Sequence, residues 1–250
     1  MANALSELKA HLATIKALNE TAGLLGWDQR TYMPAGGAAA RAEQLATVSR
    51  VAHELLVSHK TGSLLESVDT SDLPPDSDDA RLVAVVERDY ERAAKLPAEF
   101  VARISRARGL ANPAWQQARA ENNWALFAPH LETMYGLARE QAEFYGYSDH
   151  IYDALLDTYE RGLTTAQVRA LFEDLKAGTV PLVKAIAAQG DDKRDACLHG
   201  DFPEALQEEF GVLVATHFGY DWSRGRQDRT AHPFCINFGR DDVRITTRFN

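Results

Sequence analysis

The sequence predicts a mainly α protein, a run of amphipathic helices leading into a short β-hairpin. Three observations carry that expectation. Apolar residues recur at steps of three and four over most of the chain. Proline, glycine and acidic clusters punctuate those runs, and strict alternation of polar and apolar residues occurs only after about residue 230. The expected division is a helical region over residues 1–228 and the start of a small β-sheet over 229–250.

The first helix is read from Leu5, Leu8, Leu12, Ile15, Leu18, Ala22 and Leu25, which share one helical face. Pro34, Gly36 and Gly37 mark a loop, after which a long helix runs from about Ala38 with Leu45, Val48, Ala52, Leu55 and Leu56 inward. The acidic stretch from Asp69 to Ala80, with Pro74 and Pro75, reads as a loop into a helix capped by Asp76 or Ser77. Leu82, Val85, Val86 and Tyr90 mark that helix's inner face. A further helix is expected from Pro97 to Leu110. Asn112 then caps the next, with Pro113 in its first turn, and Pro129 is read as a similar entry to a helix that ends at Gly146. Thr164 or Thr165 opens a helix through Val168, Leu171, Phe172, Leu175 and Leu182, with Pro181 placed to kink it. The segment from Pro203 to Phe218 is closed by Gly219.

The closing segment reads as strand, turn, strand: HPFCINF, GRD, DVRITTRF. In the second strand Val243, Ile245, Thr247 and Phe249 face one way, and Asp242, Arg244, Thr246 and Arg248 the other. A lone hairpin is marginal in water, so further strands are expected to pair with its edges.

Composition narrows the function. The net charge is −9, from 27 basic and 36 acidic residues, and no basic cluster offsets it, which argues against a nucleic-acid partner. No apolar run approaches the ~20 residues a membrane helix requires, and the amphipathic start is unlike a signal peptide. Two cysteines, Cys197 and Cys235, suit a reducing, cytoplasmic setting better than a disulfide framework. Among eight histidines, no pair has the HExxH spacing of a zinc helix; His53-Glu54 opens that pattern, but Val57 stands where the second histidine belongs. Phosphate-loop fingerprints and a GxSxG elbow are also absent from the sequence.

Two constellations remain. Asp242, Arg244, Thr246 and Arg248 form either a solvent-facing polar stripe or a wall of a binding groove. In the second case a guanidinium would take a substrate carboxylate in a two-pronged pair, Asp242 would orient Arg244, and His232-Pro233-Phe234 would lie nearby. Trp27, Asp28, Gln29, Thr31, Met33 and Pro34 form the other cluster, which reads as a packed junction between two helices.

The segments LLGWDQRTYMPAGGAAARAEQLATVSRVAHELL (24–56), YDALLDTYERGLT (152–164), HPF (232–234) and DVRIT (242–246) resemble, in order, those of the carboxypeptidase Taq family of zinc metallocarboxypeptidases. One departure is Arg161, where the family has proline. The resemblance implies a helical, saddle-shaped enzyme, often a homodimer, that releases single residues from peptide C-termini using zinc or cobalt. It also implies that the HExxH helix, whose zinc polarises the scissile carbonyl and activates water, follows DxRxT and lies outside these residues. The expected function is therefore the amino-terminal half of such an enzyme, inactive alone and partnered by the other half. Arg244, Thr246, His232, Asp242 and Arg248 would contact substrate, with no catalytic or metal-binding residue of its own. The alternative is a stand-alone, non-catalytic helical module that binds a partner or peptide.

Overall fold

The opening stripe of leucines folds as α1 (Ala2–Thr31), in a computed structural model that describes residues 2–71, 73–190 and 197–249. Among these residues the chain forms nine α-helices and one three-stranded sheet. It divides into two compact units, residues 1–140 with 221–248 and residues 141–220 with 249–250.

In the first unit, α1 buries Leu8, His11, Ile15 and Trp27. Leu8 packs with Leu64 and Leu65 of α3 (His59–Ser67) and with Val83 and Val86 of α4 (Asp78–Ala94). Burying each such side chain fully is worth about 1.5–3 kcal/mol before entropy is counted. His11 sits in this apolar setting because its Nε2 lies 2.9 Å from Thr61 Oγ1, itself fully buried. Ser58 starts α3, a helix the sequence reading passed over, by accepting the Thr61 amide at its hydroxyl. Ser77 caps α4, with Asp78 and Asp79 in the first turn. Val85, expected inside, is exposed, and Val83 is buried instead. A helical residue adjacent to Val86 is turned from it by about 100°, so Val85 cannot share its face.

α2 (Ala38–Leu56) and α5 (Ala98–Ala120) meet through small residues. Ala42 and Ala46 on α2 are buried, as are Ala102, Gly109 and Ala111 on α5. The four larger apolar residues expected inside α2 are only half-buried, and Ala52 is buried as expected. A Cβ on Gly109 would lie 3.0 Å from Ala42 Cα, so a larger residue there would press α5 away from α2. The break expected at Asn112-Pro113 does not occur, and α5 continues through Pro113. Proline there removes the amide that would bond the Gly109 carbonyl. Gln29 Nε2 of α1 donates to that carbonyl instead, at 2.6 Å. Asn122, with φ +49°, turns the chain into α6 (Trp124–Tyr145). The helix therefore begins before Pro129, which lies in its second turn, and Gly146 at φ +77° follows its end.

Three strands complete the first unit: β1 (Gly225–Arg229), β2 (Cys235–Asn237) and β3 (Val243–Thr247). Their order is β1-β3-β2, with β3 parallel to β1 and antiparallel to β2. The expected hairpin is thus β2 and β3, though HPFCINF contributes only three residues of strand. β1 corrects the expected boundary, because Gly225–Asp228 lie in strand on the side read as helical. GRQDR carries no apolar alternation, so nothing in its pattern announces a strand.

In the second unit, α7 (Ile151–Leu156) begins with a capping box between His150 and Asp153, and α8 (Thr165–Ala188) with one between Thr164 and Gln167. Pro181 lies inside α8. Pro203 precedes α9 (Glu204–His217), and Gly219 at φ +83° follows it, as expected. Leu171, Phe172, Leu175 and Leu182 of α8 are exposed, as are Leu206 and Phe210 of α9.

Candidate functional site

On the polar face of β3, Arg244 lies over the C-terminal end of α1. The register sets Arg226 of β1 and Ile236 of β2 beside Arg244 of β3. Ile236 and Phe238 approach α1 at Gly23, where a Cβ would come within 3.1 Å of the Phe238 ring. The Arg244 guanidinium stacks 4.2 Å from the Trp27 ring centre and 5.1 Å from that of Phe238. Arg226 lies 5.4 Å from the same indole, so two cations stack on one aromatic ring.

Each cation has a carboxylate two residues away on its own strand or strand end. Asp242 receives Arg244 Nε and Nη2, both at 2.7 Å. Asp228 receives Arg226 Nε and Nη2, both at 2.8 Å. Asp228 also accepts from the Tyr32 hydroxyl, and its side chain is only 2% exposed. The hydrogen bond to Arg244 holds the Asp242 carboxyl below its ordinary value, and the same bond raises Arg244. Hydrogen bonding to the Asp228 carboxylate likewise raises Tyr32 and Arg226. Asp242, Arg244 and Arg226 are thus favoured in their ionic forms by their own neighbours.

Of the five site residues expected from sequence, Asp242 and Arg244 come together as a bidentate pair. The Arg244 side chain is 16% exposed and that of Asp242 40%. The two-pronged fork expected for a substrate is thus engaged by Asp242, and Nη1 is the part of Arg244 that remains. Thr246 is buried. Its hydroxyl accepts the Phe234 amide at 2.7 Å and donates to the Phe234 carbonyl at 2.9 Å, so it fastens the HPF segment rather than facing outward. His232 is exposed and stands edge-on to Trp115 at 6.3 Å. Arg248 lies beyond β3 and is exposed.

Sequence reasoning missed Arg226, Asp228 and Tyr32. The available signal was the arginine-aspartate spacing two apart in RQD, the reverse of that in DVR. The Trp27 cluster is a packed junction, as expected: Asp28 pairs with Arg41 at 2.7 Å, and Gln29 serves α5. Trp27 also forms the floor beneath both arginines.

Among the described residues, no three of histidine, cysteine, aspartate and glutamate gather at ligating range. His53 is held by its Nε2 at 2.8 Å from the Leu96 carbonyl, an ordinary buried helix residue. Cys197 and Cys235 are free and exposed. No helix among the described residues is long and apolar enough to cross a membrane.

The carboxypeptidase Taq (M32) metallopeptidase family matches residues 7–250. The chain is 36% identical over 254 residues to thermostable carboxypeptidase 1 of Thermus thermophilus, covering 96% of this chain and 48% of that protein. It is 32% identical to carboxypeptidase 1 of Bacillus subtilis, covering 96% and 48%. The crystal structure of BsuCP aligns with a TM-score of 0.94 at 31% identity, over 99% of this chain and 50% of that one. An M32 carboxypeptidase from Deinococcus radiodurans aligns at 0.80 and 36% identity, over 99% and 50%. The chain spans about half the length of the curated relatives it matches.

Proposed function

Because the chain belongs to the carboxypeptidase Taq (M32) metallopeptidase family, we propose that it is the amino-terminal half of a metallocarboxypeptidase that releases single residues from peptide C-termini. The observation that carries this reading is a family match over residues 7–250 combined with coverage of half of each relative. The metal, zinc with cobalt as a substitute, takes its ligands from polypeptide corresponding to the relatives' other half. No step through it is assigned to residues of this chain.

What this half supplies is groove wall. Arg244, levelled by Trp27 and anchored by Asp242, presents positive charge and Nη1 toward a peptide's anionic end. Because the guanidinium is already oriented, little side-chain entropy remains to be lost on binding. Trp27 Nε1 is buried without an acceptor among the described residues, a further donor at the same place. Thr246 serves by fixing Phe234, while His232 and Arg248 flank the wall. The partners of this reading are peptides, the complementary half and a second copy in a homodimer, with the reducing cytoplasm as its setting.

Peptide hydrolysis by the purified 250-residue chain, with added zinc or cobalt, tests the proposal. No release of C-terminal residues is expected from the chain alone, and release is expected once the complementary half of a family member is co-folded with it. Turnover by the chain alone at the rate of an intact relative would overturn it.

A further inference from the structure

The second unit has helices but scarcely any core. Among the described residues, Ala142 and Ala154 are the only apolar side chains it buries, whereas the first unit buries leucines, valines and alanines from α1 to α5. α8 buries no side chain, and every residue from 169 to 188 is exposed. Yet α8 is patterned for burial. At about 100° per residue, Leu171, Phe172, Leu175, Leu182, Val183 and Ile186 fall within an arc of about 120°, the width of a stripe that faces a core. All six are more than half exposed. Glu173 and Lys184 lie on the opposite side of the helix. α9 repeats the arrangement, with Leu206, Phe210 and Leu213 on one face, each more than half exposed, and Glu208 opposite.

A helix holds its shape in water mainly through the packing of such a stripe. Single apolar side chains scattered over a surface are ordinary; stripes on two helices of one unit are not. Three observations say what covers them. The family match over residues 7–250 runs through both helices, so they belong to the shared fold. The chain aligns over 99% of its length with BsuCP and covers 50% of it. The relatives therefore carry about as much polypeptide again in addition to these two helices. Finally, the first unit closes its apolar stripes in a core of its own, as Leu8 does with Leu64, Leu65, Val83 and Val86. The uncovered apolar faces that further polypeptide can complete lie chiefly on the second unit.

We propose that the apolar faces of α8 and α9 are one side of a shared core, closed by the polypeptide that corresponds to the other half of the relatives. An interface of this kind resembles a domain core cut in two, so the halves fold together there rather than dock as finished bodies. The first unit folds by itself, and the second takes its stability from the partner. The inference rests on the proposed function in taking the complementary half as that partner. It concerns assembly alone, so its test reads association and protection rather than hydrolysis.

Hydrogen exchange read by mass spectrometry tests it. The 250-residue chain alone should exchange quickly over α8 and α9 and slowly over α1, α2 and α5. Co-expression with the carboxy-terminal half of Bacillus subtilis carboxypeptidase 1 should give a complex in which exchange over α8 and α9 slows by on the order of tenfold or more. Leu175→Glu or Phe210→Glu should weaken that complex about 10- to 100-fold, the range for one buried apolar side chain. Lys184→Gln, on the polar side of α8, should leave it unchanged. Both apolar positions are exposed in the chain alone, so exchange over α1, α2 and α5 should stay as in wild type, which separates loss of the interface from loss of the fold. Failure to form a complex, or a complex in which both helices still exchange quickly, would overturn the proposal. So would a dimer of the 250-residue chain that protects α8 and α9 and excludes the other half. Protection of both helices without peptide hydrolysis would support the inference and count against the catalytic reading, whereas hydrolysis without protection would do the reverse.

Discussion

Gln29 carries a structural debt created eighty residues away, and that dependence can be measured. Pro113 lies inside α5 and cannot donate to Gly109, whose residue is buried, and Gln29 Nε2 supplies the missing bond at 2.6 Å. Gln29→Ala removes the donor and leaves a buried carbonyl short of a partner, a loss of about 1–3 kcal/mol. With a urea m-value of about 2 kcal/mol/M, a 2 kcal/mol loss lowers the unfolding midpoint by roughly 1 M. In the Pro113→Ala background residue 113 regains an N–H that can close the helical bond to Gly109. There Gln29→Ala should cost less than about 0.5 kcal/mol, giving a coupling of about 1–2 kcal/mol in the double-mutant cycle. Urea unfolding of the four proteins, followed by circular dichroism at 222 nm, supplies the cycle. Equal cost of Gln29→Ala in both backgrounds would refute the reasoning, because the carbonyl would then not be what Gln29 serves.

Two further outcomes follow from the sheet. Thr246→Val deletes the acceptor of the Phe234 amide while the Thr246 amide still bonds the Phe234 carbonyl at 2.9 Å; it should cost about 1–2 kcal/mol and speed hydrogen exchange at Phe234, with Thr246→Ser close to wild type, and unchanged exchange would contradict it. Asp242 is held below its ordinary value by Arg244, so its contribution is complete above the unfolded carboxylate value of about 3.9 and is lost as pH falls through the lower native one. With the carboxylate 40% exposed, screening limits this to below about 1 kcal/mol. The melting-temperature gap between wild type and Asp242→Asn should be constant near neutral pH and narrow as pH falls below about 4, and a gap independent of pH would count against it.

Sequence periodicity revealed helices wherever one face had to be apolar: the leucines of α1, the capped start of α4 at Ser77 and the Thr164 box of α8 were all readable. It failed where tertiary contacts override local rules. Pro113 reads as a boundary because proline ordinarily breaks the ladder, and only a side chain from another helix lets α5 pass through it. Val83 displaced Val85 because both are apolar and only packing chooses between them. The Asp242–Arg244 pairing was legible from their i, i+2 spacing on one face. Its placement over Trp27 was not, since no local pattern links residues so distant in the chain. β1 stayed hidden because its pairing with β3 is parallel and its residues are polar.

The position of β3 between β1 and β2 sets an order for how the molecule comes into being. β1 and β2 pair with β3 and not with each other, so neither has a ladder until β3 has been synthesised. Tyr32 and Asp228 are 196 residues apart, and at about 5–20 residues per second a ribosome needs on the order of 10–40 s to travel between them. Throughout that interval the indole of Trp27 is on a finished helix with neither of its arginine covers yet made. A chain within this window has the Tyr32 ring beside that indole and lacks both guanidiniums that cover it in the finished fold.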